Sequence, residues 1–460
     1  MINCWELDSK AKLVVEEIPY VRSVAIGVYI KVGSRHEYLP LSGASHFIEH
    51  MLFKGTDRRN AFTAKEHTCV YARTLDEHLD TALGIIFDML FHSLFASKDF
   101  KTEKGVIVEE INMYEDTPDD LVNDVFCQQL WQGHSMGRPI LGTVDSVQGF
   151  KREEIYDFYR RAYIPANMII SIAGNIDAAR VKDKVESYLN RDMHGGTQFS
   201  NTKIGDYVPF IRTVVKDTEQ VQICLGLPGI SYQDERRYSQ NIMNSILGGG
   251  ISSRLFQTIR EELGLAYSVY SYPSNYSDTG SYIIHIGTGP GKVAQFFEVF
   301  HGEIDKFRQQ GVTLNEVERT QQLIKSSMLM GMESVMNRMN RLGRSILMYG
   351  QVIPVDEVLE KIYAVTPEKI NSFANEVLDL PRFSLAAVAY FFDEAAGERP
   401  IQFVEEFCKQ AEGKLGEPIA LMLWQKAFLQ TLFGWINKSD GSRRFREALL
   451  EVGRKNGKTC

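Results

Sequence analysis

Residues 46 to 51 read His46-Phe47-Ile48-Glu49-His50-Met51 within the run SGASHFIEHMLFKGT. On a helix, positions i and i+4 project from nearly one face, so His46 and His50 can share a single cation with Glu49 beside them. Such a pair is what a hydrolytic zinc site requires. Zinc takes neutral imidazole nitrogens, and a catalytic site keeps one position open for water, so two histidines call for a third protein ligand, here a carboxylate from elsewhere. The competing interpretation is an amphipathic helix whose two histidines fall one turn apart and hold no metal.

A second helical pattern, DFKTEKGVIVEEINMYED, supplies Glu103, Glu109 and Glu110. Glu103 and Glu110 lie two turns apart on one face, so one of them can ligate a metal while the other orients the histidines. Taken alone, the segment also reads as a solvated acidic face.

These residues need a frame. The chain has 460 residues, of which 44% are hydrophobic and 24% charged, the balance of a soluble globular protein with room for two domains. Its formal charge of −8 and the lack of a basic run before the last twenty residues argue against nucleic acid as a partner. Six scattered cysteines without a CxxC pair give neither a disulfide framework nor a cysteine zinc site, and fit a reducing compartment. The N-terminal run is too polar for a signal peptide, and the apolar stretch at 419–436 is broken by Gln425, Lys426 and Gln430, so a cytoplasmic protein without a membrane span is expected.

Strand patterns at 23–34 and 167–175 enclose helical ones, and the Gly-paired segment 190–206 reads as a linker. A second round follows. The strand-like TVVKDTEQVQICLGLPG leads to helices, further strands, long helices at 292–310 and 314–349, and a last strand SLAAVAY. The chain is therefore expected to form two similar α+β halves, 1–195 and 205–395, each with strands packed against helices, followed by a helical tail at 396–460. Gly248 to Gly250 are expected to open a helix rather than cradle phosphate, since no GxxxxGK context surrounds them.

HxxEH followed by paired glutamates resembles the inverzincin peptidases of the pitrilysin, insulin-degrading enzyme and mitochondrial processing peptidase family, in particular its short bacterial processing-peptidase-like members. The resemblance covers residues 1 to 395, including VGSRHE at 32–37, NAFTAKEHT at 60–68 and EDTPDD at 115–120. It implies one Zn2+ per chain held by His46, His50 and Glu110, with Glu49 as general base and Glu103 supporting the site. In the other half, GGGISSRLFQTIREELGLAYSVYS is similar to the family's segment with an Arg and a Tyr seven apart, which match Arg260 and Tyr267; both are suited to holding substrate and an oxyanion. Asn60, Ala61 and Phe62 match the strand to which extended peptides add.

The fold so implied is two α/β half-domains, each a mostly antiparallel sheet against helices, together forming half of a clamshell. Its partners would be peptide substrates and a second chain, either a copy of itself or a related subunit. One departure bears on activity. Family members carry a helix and a Gly-Gly turn between FKGT and NAFT, where this chain has only Asp57-Arg58-Arg59. That leaves an alternative reading as a catalytically impaired structural or regulatory subunit, and a third as a metal-free peptide-binding scaffold.

Overall fold

The computed structural model describes residues 1–54, 60–189, 197, 199–216 and 218–389, with residues 401, 426, 428 and 429. The expected helical tail at 396–460 lies outside the described residues apart from those last four. Among the described residues no single helix is long and apolar enough to cross a membrane.

Two sheets organise the described residues. The first is built from β1 (Ile2–Glu6), β2 (Lys12–Glu17), β3 (Ser23–Ile30), β4 (Ala61–Thr63), β5 (Thr68–Leu75) and β6 (Met168–Gly174), in the order β1-β2-β6-β3-β5-β4. The second contains β7 (Ile211–Val215), β8 (Val221–Gly229), β9 (Ala266–Asn275), β10 (Gly280–Thr288) and β11 (Ser384–Ala389), in the order β7-β11-β8-β10-β9. Each sheet has one parallel pairing, β2 with β6 and β7 with β11; the other pairings are antiparallel. This is the mixed α+β architecture with two mostly antiparallel sheets that the sequence implies.

Both faces of the first sheet are covered, and alternation along its strands shows how. Leu13, Val15, Ile26, Val28, Ile30, Ile170 and Ile172 join Phe47, Phe87, Phe100 and Phe158 in one core. The intervening Val14, Ala25, Tyr29, Ile169 and Ala173 form a second core with Val335, Met339, Leu342 and Ile346. Period-two alternation sends neighbouring residues to opposite faces, and a strand buried on both reads as a continuous apolar run.

The second core is supplied by the helix Val335–Tyr349, more than 300 residues from β3. It seats closely because two glycines meet it or belong to it. A Cβ at Gly27 would lie 2.3 Å from Met339 Sδ, and one at Gly343 would lie 2.2 Å from the Tyr29 ring. Tyr29 donates its hydroxyl to Asn340 Oδ1 at 2.8 Å, and Ser171 donates to the Met339 carbonyl at 2.7 Å.

The chain accordingly divides into two compact units that are not contiguous in sequence. One comprises the described residues of Met1–Tyr114, Trp131–Gly205 and Ile324–Val358. The other comprises Glu115–Leu130, Asp206–Leu323 and the described residues from Leu359 onward. Each sheet is drawn from one half of the sequence, but each unit takes a helix from the other half. In the second unit that helix is Pro118–Leu130, whose Asn123 accepts the Cys224 thiol at 3.4 Å and whose Phe126 ring would meet a Cβ at Gly226 at 2.8 Å.

Three local expectations change. The helix expected over 314–349 is two helices, Leu314–Gly331 and Val335–Tyr349, because Ser334 turns extended and its hydroxyl caps the second by accepting from Asn337 N–H. TVVKDTEQVQICLGLPG is two strands, β7 and β8. Gly248 closes the helix Arg237–Leu247 rather than opening one: its N–H reaches the Asn244 carbonyl at 2.9 Å, and a Cβ there would lie 2.5 Å from Ser271 Oγ.

Candidate metal centre

The HxxEH run forms α1 (Ala44–Leu52), a helix buried along its whole length. A short helix buried on all sides needs its first N–H groups satisfied. Gly43 supplies the entry turn at φ 94°, and the Glu37 carboxylate accepts from the N–H groups of Gly43 at 2.7 Å and Ser45 at 2.6 Å. Burial pushes the Glu37 carboxyl up to about 7, against the lowering effect of those hydrogen bonds.

After α1 and β4, the helices α2 (Leu79–His92) and α3 (Ser97–Glu115) follow. Phe100 and Ile107 anchor α3 in the core beside Phe47 of α1, which sets the two helices against each other and brings their polar residues together. The rings of His46 and His50 stand 4.5 Å apart, centroid to centroid. Glu110 from α3 faces both, with Oε1 at 3.8 Å from His46 Nε2 and Oε2 at 3.5 Å from His50 Nε2. One ligand atom from each of the three residues lies within 4.8 Å of the others.

Two nitrogens and an oxygen, each about 2.0–2.2 Å from a tetrahedral zinc, would be separated by roughly 3.3–3.5 Å, so an ion here would draw these atoms closer together than their present spacing of up to 4.8 Å. The donor set, two imidazoles and a carboxylate, is also one that zinc takes.

The second carboxylate has a different position. Glu103 is completely buried, with Oε1 2.8 Å from His50 Nδ1 and Oε2 against the Lys54 ammonium. Burial works to raise its pKa, but the hydrogen bonds from His50 and Lys54 outweigh that and hold it below the ordinary carboxylate value. An ionised carboxylate only accepts hydrogen bonds, so His50 must donate its Nδ1–H, which leaves the Nε2 lone pair facing Glu110. Of the two arrangements left open by residue spacing, the geometry has Glu110 facing the imidazoles and Glu103 behind one of them.

Glu49 is buried on the same helix and accepts a hydrogen bond from Thr63 Oγ1 at 2.6 Å. Asn60, Ala61 and Phe62 lie at and within β4, one of the two edge strands of this sheet. Asn60 and Phe62 are exposed; the Phe62 ring turns toward His67 and Tyr71.

Arg260 and Tyr267 belong to the other unit. Arg260 sits on a π-helical segment, Phe256–Glu262, a distortion that recurs at functional positions. Its guanidinium lies 5.5 Å from the Tyr267 ring centroid and 4.7 Å from that of Phe256. The Arg260 side chain is 40% exposed and Tyr267 is 74% exposed at the start of β9, so both present polar groups to solvent within their own unit.

Residue spacing gave no role to Lys54, Thr63 or Glu37, although each has a local signal. Lys54 follows His50 by four residues, Thr63 follows Ala61 by the two-residue period of a strand, and Glu37 precedes a Gly-entered helix.

Comparison with known proteins places this geometry in a family. The description "Insulinase (Peptidase family M16)" matches residues 12–144, and "Peptidase M16 inactive domain" matches residues 149–324. An uncharacterized zinc protease of Bacillus subtilis is 38% identical over 399 residues, covering 82% of this chain and 96% of that protein. One from Streptomyces coelicolor is 38% identical over 408 residues, covering 84% and 89%. Among solved structures, a protease from Helicobacter pylori superposes with a TM-score of 0.77 at 18% identity, covering 85% of this chain and 99% of the other. The Candida albicans complex III2 contains a chain with a TM-score of 0.74 at 17% identity, covering 85% and 96%. With both halves matched and relatives of this identity aligned over most of their length, the chain belongs to the M16 peptidase family.

Proposed function

We propose that the protein is a zinc-dependent endopeptidase that hydrolyses peptides or unstructured protein segments within a closed chamber, formed when two chains, identical or related, come together. The observation that carries this reading is the convergence of His46, His50 and Glu110 around one point, with Glu49 on the same helix. The name zinc protease borne by the relatives supports it.

In this reading His46, His50 and Glu110 hold one zinc ion. When bound, zinc acidifies water and polarises a peptide carbonyl. Glu49 takes the proton of the attacking water on its carboxylate and passes it to the leaving amine nitrogen, while the water oxygen bonds to the carbonyl carbon and the C–N bond breaks. Glu103 keeps His50 in the Nδ1–H tautomer throughout. Arg260 and Tyr267 donate hydrogen bonds to the substrate and to the developing oxyanion, from the same chain or from a partner chain. Asn60, Ala61 and Phe62 form the segment beside which the extended peptide lies.

The short link ahead of β4 favours the impaired-subunit reading only if it displaces the groups around α1. The Thr63–Glu49 hydrogen bond and the close approach of Glu110 to both imidazoles count against that. The test is metal content and cleavage measured together. Purified protein is expected to carry about one zinc per chain and to cleave an unstructured peptide until a chelator is added, with recovery on zinc addition. Protein with stoichiometric zinc and no cleavage would be an inactive family member, and protein that takes up no zinc would sink the metal site itself.

A further inference from the structure

β4 meets β5 on one side, with Ala61, Phe62 and Thr63 opposite Val70, Cys69 and Thr68. The flanking pairs fix which groups are used. Tyr71 N–H donates to the Asn60 carbonyl at 2.8 Å, and Ala64 N–H donates to the His67 carbonyl at 2.8 Å. In an antiparallel ladder, bonded and non-bonded positions alternate, so Asn60, Phe62 and Ala64 direct their main chain toward β5. Ala61 and Thr63 therefore turn their N–H and C=O groups to the outer edge, where no described strand pairs with them.

Side chains alternate as well. Phe62 points to one face, while Ala61 and Thr63 point to the other, where Ala61 packs on the core containing Phe47 and Thr63 reaches Glu49. One residue, Thr63, thus offers backbone groups to an incoming strand and a hydroxyl to the carboxylate of α1. Threonine suits this coupling because its branched Cβ ties χ1 to the backbone angles.

We propose that Thr63 is a positioning residue that links occupation of the β4 edge by an extended peptide to the orientation of the Glu49 carboxylate. The inference rests on the peptidase reading and deepens it. A peptide strand pairing with Ala61 and Thr63 fixes the backbone of a three-residue edge strand. Through the Thr63 hydroxyl, that also fixes the carboxylate oxygen that receives the proton. Binding energy gained away from the scissile bond then appears in kcat rather than in KM.

The experiment compares two peptides with the same scissile bond, one long enough to pair along β4 and one truncated short of it, on wild type, Thr63→Val and Thr63→Ser. Wild type is expected to turn over the long peptide with the higher kcat. Thr63→Val keeps the branched shape without the donor and is expected to lower kcat for the long peptide about tenfold, toward that of the short one. KM should stay within about twofold, and zinc content and melting temperature should be unchanged. Thr63→Ser should restore most of kcat.

Three outcomes would overturn the proposal: an unchanged long-to-short ratio of kcat in Thr63→Val, a loss seen in KM alone, or loss of zinc from that variant. If wild type itself shows no chelator-sensitive cleavage, the peptidase reading falls, and this inference with it. If wild type cleaves and the Thr63 variants match it, only the inference falls.

Discussion

Glu49→Gln is expected to keep about one zinc per chain while lowering kcat for an unstructured peptide by about 10²- to 10⁴-fold, the usual contribution of a positioned proton acceptor. The amide is nearly the same size as the carboxylate, and its carbonyl oxygen can still accept from Thr63, so α1 keeps its packing. What it loses is the ability to take a proton. Metal analysis and steady-state kinetics on the same preparation check both halves. A variant that cleaves at more than a tenth of the wild-type rate would remove Glu49 from the mechanism.

Glu103→Ala is expected to weaken zinc binding about 10- to 100-fold, as measured by competition with a chromophoric chelator, because a metal-binding histidine depends on the group that orients its other nitrogen. Glu103 is not among the three residues that converge on the ion position and bears on it through His50 Nδ1. Without it, His50 loses the acceptor that favours the Nδ1–H tautomer, the one with its Nε2 lone pair toward Glu110. Lys54 also loses its partner, but its side chain is 30% exposed and can turn to water, so the fold is expected to survive. Glu103→Gln should fall between the two, since its carbonyl can accept from Nδ1–H without supplying a charge. Unchanged affinity in the alanine variant would show that His50 is oriented by its packing alone.

The clustering of His46, His50 and Glu110 was legible in sequence because its parts obey short-range rules. Four-residue spacing puts His46 and His50 on one helix face, and seven-residue spacing does the same for Glu103 and Glu110. Which glutamate faces the imidazoles does not follow from spacing: it depends on how Phe100 and Ile107 seat α3 against α1, a packing outcome. Strands β3 and β6 were legible too, being compact apolar runs, whereas β1, β2 and β5 of the same sheet carry no such run and were not read from the sequence.

The exchanged helices were not. An apolar stripe on Val335–Tyr349 says that one face is buried, but not that the covering sheet lies three hundred residues earlier; the close fit of Gly343 against Tyr29 is visible only in space. Residue pattern likewise joined 314–349 into one helix. There the cap at Ser334, a local hydrogen bond, overrides a periodicity that would otherwise run through. Residue spacing gives Thr63 no role, because a threonine in a short edge strand is ordinary until its contact with Glu49 is known.

The most direct measurement is anomalous diffraction at the zinc edge from crystals of the full chain. One strong peak per chain is expected, about 2.0–2.2 Å from His46 Nε2, His50 Nε2 and a Glu110 carboxylate oxygen, with Glu103 outside that sphere. A peak that omits Glu110, or zinc held anywhere other than between α1 and α3, would contradict that ligand set.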